Sequence, residues 1–181
     1  MSTAQAQSSD KTLQAEDGLD QYLTFMLAEE EYGVDILRVQ EIKGWDGVTP
    51  MPNMPDYILG VINLRGTLVP IVNLRTLFEL ENVPFSKTTV VIVVRVTSED
   101  HGERTMGIVV DAVSEVYNIA TADLKPAPDF GGACNTEFIK GLSTLEGKMQ
   151  IMLDIDRLMN DGVLNKLEVA SNDTEMEQKS A

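Results

Sequence analysis

The residue types that most often carry catalysis or bind metals are scarce in this chain of 181 residues. His101 is its only histidine and Cys134 its only cysteine. Metal sites need several convergent ligands, and a cysteine nucleophile needs a histidine base beside it. The glycine loops that bind phosphates and the nucleophile elbow of hydrolases are also missing from the sequence. We therefore predict a protein that is not an enzyme and that holds no metal and no cofactor.

Carboxylates are the abundant reactive groups, and they concentrate in polar turns. The chain has 14 Lys and Arg against 29 Asp and Glu, so its formal net charge is −15. The runs Glu29–Glu31 and Glu99–Asp100 interrupt apolar segments, which is typical of solvated turns. A negative field of this kind repels the phosphates of nucleic acids and of membrane surfaces. The expected partners are proteins or a small molecule, with no nucleic acid and no direct membrane insertion.

The sequence also bears on where the protein works. Its N-terminus lacks the basic and apolar regions of a signal peptide, and no apolar run reaches the ~20 residues that span a bilayer. A single cysteine cannot form a disulfide within the chain, which fits a reducing compartment. We predict a cytoplasmic protein.

Alternating apolar and polar residues make β-strands the main element that must position any site. Tyr22–Leu27 and Tyr32–Leu37 flank the acidic turn Ala28–Glu31, a pattern that predicts a hairpin. Strands at the spacing seen here indicate antiparallel barrels or sandwiches. The further predicted strands are Thr67–Val72, Thr89–Val96, Met106–Val116 and Lys148–Leu153.

Helix is sparse in the same pattern. One turn is expected after Pro55, another over residues 73–80, and a short C-terminal helix from about Ile155. Either Asp154 or Asp156 is a candidate N-cap of this last helix, because a carboxylate accepts hydrogen bonds from the free amides of the first turn. The predicted fold class is all-β with a short C-terminal helix.

The chain contains an internal repeat. Residues 57–78 align with residues 138–159 at an offset of 81, and residues 33–42 align with residues 107–116 at an offset of 74. The order is the same in both halves, which predicts two copies of one small β unit. Units of ~60 residues bury little surface alone, so the two copies are expected to share a core. The alternative is a chance likeness among apolar strands.

Composition and the repeat together place the boundaries of the folded body. Residues 1–20 are polar and acidic and are predicted to form a disordered tail. Residues 161–181 are predicted to contain the end of the C-terminal helix and a mobile tail. A single domain is then expected over residues 21–160, with subdomains over about 21–82 and about 86–160.

Five segments of this domain form a distinctive set. They are residues 30–42 (EEYGVDILRVQEI), 60–66 (GVINLRG), 69–75 (VPIVNLR), 107–116 (GIVVDAVSEV) and 126–128 (PAP). Together they resemble the CheW family of bacterial chemotaxis adaptors, and the likeness covers nearly all of residues 20–160. The resemblance implies two pseudo-symmetric five-stranded barrels of the Src-homology-3-like kind that share a hydrophobic core.

The same resemblance implies a function. It implies a non-enzymatic adaptor that couples chemoreceptors, the methyl-accepting chemotaxis proteins, to the histidine kinase CheA in chemotaxis signal transduction and receptor-array assembly. The implied partners are the cytoplasmic tips of the receptors and the regulatory domain of CheA. The adaptor is then expected to be cytoplasmic and recruited to membrane-anchored arrays. A small-molecule-binding β-barrel or an unrecognised hydrolase is the alternative.

The resemblance also implies two sets of site residues. The kinase-binding positions match Lys125 and Phe130, and Phe130 follows a proline-rich stretch and is expected to project outward as an anchor. Two of the receptor-binding residues, Ile36 and Val39, have an alternative role as plain core residues. The receptor-binding positions lie near a groove between the barrels, and they match Ile36, Val39, Glu41, Asn63, Leu64, Arg65, Val90 and Val91.

One pair of these residues can also be argued from the repeat. Arg65 and Glu146 hold the same place in the two copies but have opposite charge, whereas Glu41 and Glu115 are identical. A cation in one turn alone predicts a local carboxylate partner or a docking role. An arginine can bind a carboxylate and still offer donors to another protein. Glu41 is the candidate partner, because it ends the strand that also carries Ile36 and Val39 and because the family resemblance supports pairing it with Arg65.

Overall fold

The computed structural model describes residues 19–128 and 136–164. Cys134, Phe130 and most of the two predicted tails lie outside the described residues, although Leu19 and Asp20 already belong to the first strand. Two short α-helices, α1 (Leu74–Leu77) and α2 (Ile155–Met159), are present. The strands are β1 (Leu19–Leu27), β2 (Glu30–Asp35), β3 (Val39–Gly44), β4 (Ile58–Leu64), β5 (Thr67–Asn73), β6 (Val90–Ser98), β7 (Gly102–Val110), β8 (Ala112–Ala120), β9 (Ile139–Leu145) and β10 (Lys148–Leu153).

These strands form two curled sheets of five strands each. The first sheet has the order β8-β1-β2-β10-β9, and the second has the order β3-β6-β7-β5-β4. One isolated bridge adds to each sheet from outside its strands, joining Thr49 to Val61 in the second sheet and Lys125 to Leu142 in the first. The predicted all-β fold with two five-stranded units and a short C-terminal helix is confirmed.

The two sheets have equivalent strand orders. The orders become identical when β1–β5 are matched, strand by strand, with β6–β10. Each sheet takes two strands from one of these sets and three from the other, so the sheets do not follow the predicted subdomain ranges 21–82 and 86–160. This mixing of strands from the two sets includes two parallel pairs, β2 with β10 and β5 with β7. The alternation of residues within a strand does not show which strands lie beside it, so the sequence analysis, which predicted antiparallel pairing, missed these two pairs.

Left-handed turns determine where three of the hairpins form. Arg65-Gly66 and Glu146-Gly147 hold the same place in the repeat, and all four residues have φ between 50° and 87°. Two consecutive residues in this region make a type I′ turn, whose twist fits a two-residue hairpin loop. Ala28 and Glu29 adopt the same conformation, with φ of 50° and 70°, although neither has the conformational freedom of glycine. The predicted β1–β2 hairpin is thus present, with a strained turn.

Two of the predicted strands extend too far. Met106–Val116 divides at Asp111 into β7 and β8, which belong to different sheets. Tyr32–Leu37 ends at Asp35, whose carboxylate accepts a hydrogen bond from the Leu37 amide at 2.9 Å and begins the 3₁₀ helix Ile36–Arg38. The chain crosses from one sheet to the other at both places. Apolar residues continue across both crossings, so periodicity gave no sign of them.

The main hydrophobic core lies between the two sheets. Leu23 and Phe25 of the first sheet and Ile92 and Ile108 of the second are at most 3% exposed and belong to one cluster. The predicted shared core is therefore confirmed. Each sheet also encloses an inner cluster of its own, formed by Tyr22, Ile119 and Met152 in the first sheet and by Val69, Ile71, Val91, Val93 and Val109 in the second.

Both α-helices begin at a capping residue that ends a strand or follows it. Asn73 accepts a hydrogen bond from the amide of Arg75 at 3.1 Å, and Asp154 accepts one from the amide of Arg157 at 3.1 Å. Asp154 is thus the N-cap of α2, which leads into the wider π-helical turn Asn160–Leu164. Among the described residues, no helix is both long and apolar enough to span a membrane.

Candidate protein-binding site

Curling of the second sheet brings Glu41 and Arg65 together. Glu41 lies in β3, and Arg65 follows β4, and these are the two outermost strands in the pairing order of the sheet. Nη2 of Arg65 donates a hydrogen bond to Oε1 of Glu41 at 3.3 Å, and the Arg65 side chain is 77% exposed. The predicted pair is therefore present. An exposed pair adds little stability, and most of the guanidinium donors remain available to another protein.

The turn that carries Arg65 is fixed by its own residues. The side-chain oxygen of Asn63 accepts a hydrogen bond from the Gly66 amide at 2.7 Å. Leu64 packs against the inner cluster of the second sheet. Of the three predicted residues in this turn, Asn63 and Leu64 therefore hold its conformation, and Arg65 presents a charged group at the surface.

The 3₁₀ helix Ile36–Arg38 and the start of β3 supply apolar residues just before Glu41 in the chain. Ile36 and Val39 are half-buried and pack against the core between the sheets. Each side chain thus combines a core contact with an exposed part. Leu37, which follows Ile36, is 81% exposed, and nearly all of its apolar surface remains available to a partner.

The two predicted residues of β6 lie on opposite faces of their strand. Val90 is half-buried and packs against the core between the sheets, whereas Val91 is 3% exposed and belongs to the inner cluster of the second sheet. Successive side chains of a strand point to opposite faces, so these two valines cannot share one surface. The prediction for Val91 is corrected accordingly, because a side chain this buried offers a partner no contact.

Sequence reasoning missed two exposed apolar residues in this region. Ile42 of β3 is 44% exposed and pairs with Ile92, on the face of the strand that turns toward the core between the sheets. In the structure half-buried and exposed residues alternate along β3, and Ile42 is one of the exposed ones. Leu37 falls inside a predicted strand, and only the observed 3₁₀ turn explains its exposure.

The predicted kinase-binding residues belong to a different part of the fold. Lys125 pairs through its backbone with Leu142 of the first sheet, at N–O distances of 2.9 and 2.7 Å, and the residue is exposed. Phe130 lies outside the described residues. The structure thus places Lys125 on the first sheet, whereas Glu41 and Arg65 belong to the second.

A less exposed ion pair joins the two sheets. Arg75 of α1 donates from Nε and Nη2 to the carboxylate of Asp111 at 2.8 and 2.6 Å, and the amide of Ala28 donates to the same carboxylate at 2.9 Å. The side chains of Arg75 and Asp111 are 14% and 29% exposed. The hydrogen bonds from Arg75 hold the pKa of Asp111 below its ordinary value, and the amide of Ala28 acts in the same direction. Both groups are therefore charged at neutral pH.

The fold and this surface together define a class of protein. Apolar side chains fill the space inside each sheet, as they do in small barrels generally. Residues 19–128 and 136–164 contain no group of three or more His, Cys, Asp and Glu side chains arranged to hold a metal ion. The class is a β scaffold of two five-stranded sheets around a shared hydrophobic core.

Comparison with known sequences agrees with this class. The model of the CheW-like domain matches residues 21–163. The chain is 46% identical over 140 residues to the chemotaxis protein CheW of Klebsiella aerogenes, a match that covers 77% of this chain and 81% of that protein. It is 35% identical over 140 residues to the chemotaxis protein CheW of Rhizobium meliloti, with coverage of 77% and 87%.

A solved structure shows the same fold. The crystal structure of the scaffolding protein TtCheW from Thermoanaerobacter tengcongensis matches with a TM-score of 0.69 and 32% sequence identity, and the match covers 77% of this chain and 87% of that one. The chain belongs to the CheW family of chemotaxis scaffold proteins.

Proposed function

We propose that this protein is a non-enzymatic adaptor that couples chemoreceptors to the histidine kinase CheA. Membership of the CheW family supports the proposal. The observation that carries it is the surface formed by Ile36, Leu37, Val39, Glu41 and Arg65, which we call the receptor surface. The Glu41–Arg65 pair lies at the same end of β3 as these apolar residues, and a β-bulge between Val39 and Glu41 sets Val39 opposite Val94 and Glu41 opposite Val93.

The receptor surface combines two kinds of contact. Leu37, with the exposed parts of Ile36 and Val39, offers apolar area whose burial contributes ~25 cal/mol per Å². Arg65 offers a guanidinium that is 77% exposed and can donate two parallel hydrogen bonds to a carboxylate. Apolar residues beside polar groups are typical of protein interfaces. In this proposal Asn63 and Leu64 hold the turn that presents Arg65, whereas Val90 lies farther along β6, opposite Gly44.

The kinase surface is proposed around Lys125 and Phe130, where the regulatory domain of CheA binds. Lys125 belongs to the first sheet and the Glu41–Arg65 pair to the second, so the two partners meet different sheets. An adaptor requires two surfaces that can be occupied at the same time. The protein then works in the cytoplasm and is recruited to membrane-anchored receptor arrays by these two contacts.

Co-sedimentation with receptor cytoplasmic fragments and CheA, scored by kinase activity, tests the proposal. The unmodified chain should sediment with both partners and raise kinase activity in the receptor complex. Arg65→Glu should remain folded and lose this coupling, because it places two carboxylates together and removes the donors. Adding Glu41→Arg recreates the pair with its charges exchanged and should restore part of the coupling.

A matched control is Lys87→Glu, which makes the same charge change at an exposed residue just before β6. This end of β6 pairs with Gly44, at the opposite end of β3 from Val39, so the variant should leave coupling intact. Full coupling by Arg65→Glu would refute the docking role of Arg65. If the unmodified chain binds neither partner, the adaptor function itself is wrong, and a metabolite that raises the melting temperature would then favour a small-molecule-binding barrel.

A further inference from the structure

Each crossing of the described chain between the sheets is fastened by an ion pair. Asp111 lies at the crossing from β7 to β8, where it binds Arg75 of α1 and the amide of Ala28 after β1. We call these three groups the 75–111 clasp. It joins the first sheet, through Ala28, to the second sheet, through α1.

At the other crossing, from β2 to β3, a cation takes the place of the carboxylate. Nη2 of Arg38 lies 2.6 Å from Oδ2 of Asp156 in α2. The amide of Thr97 in β6 donates to Oδ1 of Asp156 at 2.8 Å, and Nη1 of Arg38 donates to the hydroxyl of Thr97 at 2.9 Å. The side chain of Asn160 adds a hydrogen bond to the carbonyl of Thr97 at 2.9 Å. We call Arg38, Thr97 and Asp156 the 38–156 clasp.

The two clasps occupy corresponding places in the repeat, with their charges exchanged. Arg75 and Asp156 are equivalent residues at the offset of 81, in the helices that follow β5 and β10. Asp111 and Arg38 lie at the two corresponding crossings, and the two amides lie near the ends of β1 and β6. Exchange of the charges leaves the Coulomb attraction of a pair unchanged. In both clasps the amide donates to the carboxylate, whichever element carries it.

The 38–156 clasp bears on the receptor surface because Arg38 is the last residue of the 3₁₀ helix that also contains Ile36 and Leu37. A helix of three residues makes too few hydrogen bonds to be stable alone. Its beginning is held by the carboxylate of Asp35, which accepts a hydrogen bond from the amide of Leu37. Its end is held by the 38–156 clasp, whose other residues belong to α2 and β6.

We propose that Arg38 and Asp156 are positioning residues of the receptor surface, holding the helix Ile36–Arg38 in the conformation that a receptor binds. This inference rests on the proposed function, which it extends to residues that need not touch the receptor. A segment ordered before its partner arrives loses less conformational entropy on binding, so the affinity is higher. The guanidinium of Arg38 already binds Asp156 and Thr97, which fits support rather than contact.

The proposal is tested by exchanging the charges of Arg38 and Asp156, which reproduces the charge order of the 75–111 clasp. Arg38→Asp places two carboxylates together, so amide hydrogen exchange over residues 36–39 should be about tenfold faster and receptor-fragment binding about tenfold weaker. Adding Asp156→Arg recreates the charge order of the 75–111 clasp and should restore both readouts. The matched control is Lys87→Glu, which reverses an exposed charge at the end of β6 that pairs with Gly44, far from Val39, and should alter neither readout.

The two readouts separate the inference from the proposed function. Recovery of both in the double variant supports the positioning role. Unchanged hydrogen exchange in Arg38→Asp overturns the role of the clasp, and faster exchange with undiminished binding overturns its role at the receptor surface. Lost binding with normal exchange, not restored by Asp156→Arg, also overturns it, because Arg38 is then a direct contact.

One further variant and one further measurement let every outcome of the test be interpreted. Arg38→Gln removes the charge without repulsion and replaces Arg38→Asp if that variant does not fold. If the unmodified chain fails to bind receptor fragments, the proposed function and the receptor role of the clasp are both refuted. Hydrogen exchange over residues 36–39 then still decides whether the clasp holds its helix.

Discussion

Truncation of Asp111 measures how strongly one crossing between the sheets is held. The carboxylate of Asp111 accepts hydrogen bonds from Nε and Nη2 of Arg75 at 2.8 and 2.6 Å, and from the amide of Ala28 at 2.9 Å. Asp111→Ala removes all three acceptor contacts at once. It leaves the guanidinium of Arg75, which is 14% exposed, without this partner.

The expected cost follows from burial. Breaking one partner of a buried ion pair costs ~3–5 kcal/mol. The carboxylate of Asp111 is 29% exposed, so water compensates part of the loss and we expect about 3 kcal/mol, at the lower end of that range. For a protein of this length, 1 kcal/mol shifts the melting temperature by ~2–4 °C, so the variant should melt ~6–12 °C lower.

The assay is thermal and urea unfolding of Asp111→Ala beside Glu103→Ala. Glu103 is 59% exposed and lies 3.8 Å from Arg95, so its truncation should cost less than ~1 kcal/mol. If both variants melt within two or three degrees of the unmodified protein, the reasoning about the clasp is refuted.

The dependence on pH provides a second check of the same pair. Hydrogen bonds from Arg75 lower the pKa of Asp111 in the folded state. A lowered folded pKa means that the stabilisation is complete above the unfolded pKa, whose ordinary value is 3.8, and is lost as the pH falls through the folded value. The difference in unfolding free energy between the unmodified protein and Asp111→Ala should therefore narrow below about pH 4. A difference that stays constant to lower pH would contradict the assigned role of the charge.

Three further predictions concern the turn, the packing and the kinase surface. Ala28→Asn with Glu29→Gly should stabilise the protein by ~1 kcal/mol, seen as a higher urea midpoint, because these residues favour the positive φ that the type I′ turn requires; no gain would show that the turn is unstrained. Gly107→Ala places a Cβ against Ile71 and Val91 inside the second sheet and should cost ~1–3 kcal/mol in urea unfolding. Gly44→Ala, which meets nothing within 4 Å, is its control, and equal midpoints would contradict the packing argument. Phe130→Ala should weaken sedimentation with CheA, where an aromatic anchor is often worth ~2 kcal/mol or more, and shift the melting temperature by only a few degrees; a collapsed fold would instead make Phe130 a core residue.

The sequence by itself determined the local elements, because their causes lie within a few residues. Lys148–Leu153 was predicted as a strand and forms β10 with these bounds. Arg65-Gly66 and Glu146-Gly147 are turn residues that adopt positive φ. Asp154 and Asp156 were the two candidate caps of the C-terminal helix, and the side chain of Asp154 caps α2. The equivalence of the two halves was also visible, because repeated sequences form repeated elements.

The candidate site was predictable only in part. The charge difference between Arg65 and Glu146 indicated a carboxylate partner in one half, and Glu41 is that partner. The burial of Val91 and the exposure of Leu37 were not predictable, since both are apolar residues in apolar segments. Which face of a strand becomes the interior depends on how its sheet curls, and the residues of one strand do not encode that.

Only the tertiary structure decided which strands share a sheet. Apolar residues continue through Asp111 and through Ile36, where the chain leaves one sheet for the other. The parallel pairing of β2 with β10 joins residues more than a hundred positions apart, and so does the contact between Arg38 and Asp156. Such contacts are chosen by the free energy of the whole core. Hydrophobic burial is non-directional, so an apolar strand can pack in many places, and the native arrangement is the one that buries all strands at once.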